Sequence, residues 1–92
     1  MNRLPAEEAF PTGVSNETIV LMVCRGFLWA GRYAGTTKGA PIEVVAKTAH
    51  QVKATPRHLH VGRSRFALHP RALKRACRWL SRQGVTVKEQ TP

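Results

Sequence analysis

All four histidines of this 92-residue chain, His50, His58, His60 and His69, fall within one stretch of twenty residues. His58 and His60 are two apart, so on an extended strand their imidazoles share a face. Two imidazoles can act as acid and base in RNA cleavage while arginines hold the phosphate, although nothing in the spacing fixes the geometry of such a pair. A zinc site needs three or four ligands at workable spacing. The two cysteines, Cys24 and Cys77, are far apart and follow no CxxC pattern, the five glutamates are scattered, and there is no aspartate. The expectation is therefore surface histidines that contact phosphate or gain charge in mild acid, with no catalytic site, no metal and no cofactor.

The strongest local pattern lies between residues 70 and 83. At 100° per residue, Leu73, Ala76, Cys77 and Leu80 gather on one side, while Arg71, Lys74, Arg75, Arg78 and Arg82 gather on the other. Like charges at i,i+4 cost an isolated helix a few tenths of a kcal/mol each, and no acid stands nearby in sequence to relieve them. Solubility is normally met by mixing signs. Arginine dominates the face, and its planar fork pairs with phosphate oxygens and with the O6 and N7 edge of guanine. Trp79 falls between the two sides and is expected to pack more than to stack on bases. Arg57, Arg63 and Arg65 bracket a short hairpin next to the helix and would extend the same cationic patch.

The charge of the whole chain agrees. Fifteen Lys and Arg oppose five Glu, for a formal net charge of +10. Residues 1–50 contribute +1 and residues 51–92 contribute +9, a near-neutral scaffold followed by a basic half.

The elements that must position these residues read as an α+β fold, predominantly helical. Three helices are expected at about 16–34, 41–54 and 69–83, with a small β-hairpin and short strands at about 58–61, 65–68 and 85–88. Ser15 and Glu17 supply start signals for the first helix, Pro41 for the second and Pro70 for the third, which stops at Gly84. The rival for residues 18–30 is a strand hairpin turning at Arg25-Gly26, since Ile19, Val20 and Val23 are β-branched. Length favours the helix. Such a helix would be apolar on every side, and a homo-oligomer interface is its natural cover. Residues 45–59 faintly echo a helix-turn-helix, discounted because Pro56 falls where the recognition helix should begin.

One domain is expected, since 92 residues do not make two independent cores. An irregular lead-in covers 1–14, pinned by Leu4 or Phe10; the basic binding domain runs 15–88; a frayed tail ends the chain at 89–92. The longest apolar run, Thr18 to Ala30, contains Arg25 and falls short of a membrane span. With no secretory pattern at the N-terminus and two unpaired thiols, a cytoplasmic protein without membrane contact is expected. The expected function is a non-catalytic nucleic-acid-binding regulator or accessory factor, DNA favoured over RNA. The alternative is a small inhibitor or adaptor, of the type made by phages and mobile elements, that docks its basic face on an acidic protein surface of a host or defence complex.

Overall fold

The computed structural model describes residues 6–35, 43–49 and 52–89. The described residues are mostly β with one helix, which corrects the predominantly helical reading. Strands β1 (Ala6–Pro11), β2 (Glu17–Cys24), β3 (Phe27–Ala34) and β4 (Glu43–Thr48) form sheet I, an antiparallel meander in the order β1-β2-β3-β4. Strands β5 (Val52–Ala54), β6 (His58–Val61), β7 (Ser64–Ala67) and β8 (Lys88–Glu89) form sheet II in the order β7-β6-β5-β8. Helix α1 (Pro70–Arg82) crosses from β7 to β8, and β8 lies parallel to β5.

The first expected helix, 16–34, is the hairpin β2–β3. Its two-residue turn has positive φ at both Arg25 (52°) and Gly26 (79°), the twist that suits a two-residue hairpin loop. The misreading has a physical cause. Ile19 and Leu21 face the core on one side of β2, while Thr18 and Val20 are buried on the other, so the apolar run never alternates. The argument for a homo-oligomer from an all-round buried helix lapses with that helix. The second side of β2 forms the outer face of sheet I, where Lys47 Nζ lies 4.3 Å from the Phe27 ring centroid and 4.4 Å from that of Trp29.

The second expected helix, 41–54, is replaced by β4 and β5; residues 41, 42, 50 and 51, and with them His50, lie outside the described residues. Ala46 pairs with Ala30 but Val44 pairs with Gly31, so residue 45 is one extra in its strand. A bulge of this kind shifts the phase of alternation. Val44 therefore faces out and Ala46 in, and the resulting spacing imitates a helical stripe. Within the expected lead-in, residues 6–11 form β1, and Phe10 pins it, 3% exposed. Residues 1–5 and 90–92 lie outside the described residues.

The third helix and the hairpin of β6 and β7 occupy almost the expected spans. Pro70 opens α1, and the His69 side chain caps it, Nδ1 accepting from the Arg71 backbone N–H at 3.2 Å. Gly84 at φ +80° closes it, with Gly84 N–H on Ser81 O and Val85 N–H on Leu80 O, the paired bonds of a Schellman ending. The β1–β2 connection locks the helix start. His69 N–H donates to Thr12 O at 2.7 Å, and Gly13 at φ +74° sits so close that an added Cβ would come within 2.8 Å of His69 Cβ.

One apolar core joins both sheets and the helix. Phe10, Ile19, Leu21 and Leu28 of sheet I meet Leu59, Val61 and Phe66 of sheet II and Leu73, Ala76, Trp79 and Leu80 of α1. Trp79 is 7% exposed and makes an edge contact with Phe10, ring centroids 6.1 Å apart. It is a packing residue. Among the described residues no helix is long and apolar enough to cross a membrane.

Candidate nucleic-acid interface

Leu73, Ala76, Trp79 and Leu80 fix the roll of α1 by facing the core. At 100° per residue that leaves Arg71, Lys74, Arg75, Arg78 and Arg82 within about 100° of arc on the opposite side. All five are exposed. The helix is 13 residues long, so the ridge runs for roughly 20 Å.

Little in the fold relieves this charge. Among the described residues the ion pair within 4.0 Å is Arg32–Glu43, 3.8 Å apart and far from the ridge in sequence. Glu8 of β1 shares a shallow groove with Arg75, Arg78 and Arg82 on one flank of the helix. Glu89 of β8 shares a second groove with Lys74, Cys77 and Arg78 on the other. Burial, and then Glu89, push the Cys77 thiol above its ordinary pKa. Arg71 and Lys74 stand in the N-terminal half of the helix, where the peptide dipoles favour acids, and the first turn holds no acid. The dipole favours Arg82, in the last turn, and does not explain Arg71 at the helix start.

The three remaining arginines do not extend the ridge as one patch. Ala54, Leu59 and Phe66 stand side by side across sheet II on its buried face, the face that α1 covers. Strand alternation sends Lys53, His60 and Arg65, also side by side, to the opposite face. Lys88 pairs with Lys53 and completes the row. Arg65 thus belongs to a second cationic surface turned away from the ridge. Arg57 and Arg63 are exposed in the turns that flank β6.

Two members of this row, Lys53 and Lys88, escaped the sequence reading. Residue 53 falls inside the helix expected at 41–54 and residue 88 at the end of the strand expected at 85–88, so neither joins the cationic patch on spacing alone. The period-2 pattern Val52, Ala54 buried with Lys53 exposed was the available signal, but three residues are too short to display it.

The histidines are split by the fold. His69 caps α1, and His58 and His60 share the outer face of sheet II with ring centroids 6.2 Å apart. Among the described residues no three His, Cys, Asp or Glu side chains gather as a metal set. Comparison with protein-family models, with curated proteins and with solved structures finds no match.

Partial burial, followed by the neighbouring His58, Arg65 and Lys53, holds the His60 pKa below the ordinary histidine value. The unfolded chain therefore binds more protons here than the folded one between the folded pKa and about 6.5. The contribution of His60 to stability is present above the unfolded pKa and is lost as pH falls through the folded value. Urea midpoints measured from pH 7.5 down to pH 5 are expected to fall, and His60→Asn is expected to shrink that fall. An unchanged pH profile in the variant would count against the assignment.

Proposed function

We propose that the chain is a non-catalytic nucleic-acid-binding protein that lays helix α1 along duplex DNA. The supporting observation is the ridge of Arg71, Lys74, Arg75, Arg78 and Arg82, five exposed cations on one helix side with no carboxylate of the described residues within 4.0 Å. A B-form major groove admits an α-helix, whereas the deep, narrow major groove of A-form RNA does not. That difference favours DNA over RNA. The ridge positions the protein on phosphates, and any arginine that reaches a guanine edge adds sequence preference.

A cytoplasmic location goes with this reading, because Cys24 and Cys77 are free thiols. The net charge of +10 also suits a polyanion as partner, since binding removes self-repulsion within the fold.

The test is a salt titration of binding to duplex DNA and to duplex RNA. Five phosphate contacts predict a slope of log K against log salt near about −4.5 on B-DNA. Weaker binding to the RNA duplex is expected at every salt concentration. Equal binding to both duplexes would remove the groove argument. No binding to either, with a protein recovered from nuclease-treated lysate on the same ridge, would replace this reading with the acidic-protein partner.

A further inference from the structure

Sheet II carries a cationic surface that the ridge does not use. Its outer face presents Lys88, Lys53, His60 and Arg65 as direct neighbours across four strands. His58 lies next to His60 on the same face. Adjacent strands are about 4.8 Å apart, so the row spans roughly 14 Å. Lys53, Arg65 and Lys88 are exposed, while His58 and His60 are partly buried. The one acid on β8, Glu89, pairs with Ala54 and so faces the helix side of the sheet.

Like charges set directly opposite each other across strands destabilise a sheet. This row sets Lys88 directly against Lys53, places Arg65 next in line beyond the partly buried His60, and holds no acid. Folding gains nothing from that arrangement. A rod of phosphates laid across the row would relieve it. One duplex strand offers a phosphate about every 3.4 Å of axis, so about four would lie alongside the row.

The two cationic surfaces face opposite ways. The helix residues that oppose the ridge share a core with Leu59, Val61 and Phe66, which oppose the row. A helix packed on a sheet at about 10 Å, plus about 5 Å of helix radius, leaves roughly 15 Å of protein between them. A single duplex held on the ridge cannot also reach the row without wrapping around the molecule.

We infer that one protein molecule bridges two DNA duplexes, one on the helix ridge and one on the outer face of sheet II. This rests on the reading of the ridge as a DNA-binding surface. The row binds phosphate backbone without base readout, because a major groove about 12 Å wide admits a helix or a two-stranded ribbon but not a four-stranded face about 14 Å across. The second duplex is therefore held by charge alone and by three exposed cations against five, so it is the weaker of the two, with a salt slope near about −2.7.

The experiment is a co-capture assay. One duplex is fixed to beads, a second carries a fluorophore, and the protein is added at low salt. The wild-type protein is expected to retain the fluorescent duplex. The triple variant Lys53→Gln, Arg65→Gln, Lys88→Gln is expected to lose that retention at least tenfold while binding a single duplex within about threefold of wild type. All three positions are exposed, and circular dichroism with a thermal melt checks that the variant folds. Undiminished co-capture by the variant overturns the proposal, since bridging would then run through some other surface. Tight binding of one duplex by the wild type without any co-capture overturns it too, and leaves the ridge reading intact. Failure to bind even one duplex removes the ridge reading itself.

Discussion

Alanine at Arg75, Arg78 and Arg82 together is expected to lower the proposed affinity for duplex DNA by roughly three orders of magnitude at about 0.1 M salt. In the proposed complex each arginine is expected to make a charge-assisted contact worth roughly 1.5 kcal/mol, and three such losses give about 4.5 kcal/mol. The salt slope falls by about 2.7, because three fewer counterions are released. Stability moves the other way. Arg71 and Arg75, Lys74 and Arg78, and Arg78 and Arg82 are each four residues apart, so the variant loses three i,i+4 repulsions and gains alanine in a helix. Its melting temperature is expected to stay level or rise slightly. A loss of binding without a loss of stability is what separates a contact surface from a structural one. Arg32→Ala, which removes the cation of the Arg32–Glu43 pair away from the ridge, serves as the control and leaves binding unchanged. A triple variant that binds within threefold of wild type would show that the ridge is only a solvated face.

Trp79→Ala is the most damaging single change expected in stability. The indole is almost fully buried and meets Phe10 edge-on, so it ties the helix to the first strand. Truncating a buried tryptophan costs about 3–5 kcal/mol, and the lost aromatic contact is part of that. A 92-residue domain has roughly 5–14 kcal/mol in total. The urea midpoint is therefore expected to fall by about a fifth at the least. Trp79→Phe keeps an aromatic ring against Phe10 and is expected to cost far less. It also tests the alternative use of this side chain. A packing residue leaves DNA affinity within about twofold in the phenylalanine variant. A tenfold weaker complex at unchanged stability would mean that the indole touches the bases, and the packing assignment would fail.

Between these two results lies a difference in how readable the parts were. The arginine ridge was legible because all five of its members belong to one helix, and an α-helix turns sequence spacing directly into a side. His69, Pro70 and Gly84 mark its ends with chemistry that acts within a few residues. The hairpin of β6 and β7 was legible for the same reason, since its alternation and its turn are local. The strands of sheet I were not. β2 is buried on both sides, so its apolar run shows no period, and the extra residue 45 shifts the phase of β4. Each sends a helical signal from a strand.

Composition and local order alone determined a basic helical edge: a charge of +10 concentrated in the second half, and a helix at 70–82 with its cations on one side. The tertiary structure decided the rest. Lys53, His60, Arg65 and Lys88 come from four different strands, and β5 meets β8 in parallel across the whole of α1. Short-range spacing carries no record of which strands will pair. The pairing follows from burying Leu59, Val61 and Phe66 against the helix, and that burial is what drives the row of cations out to the far side.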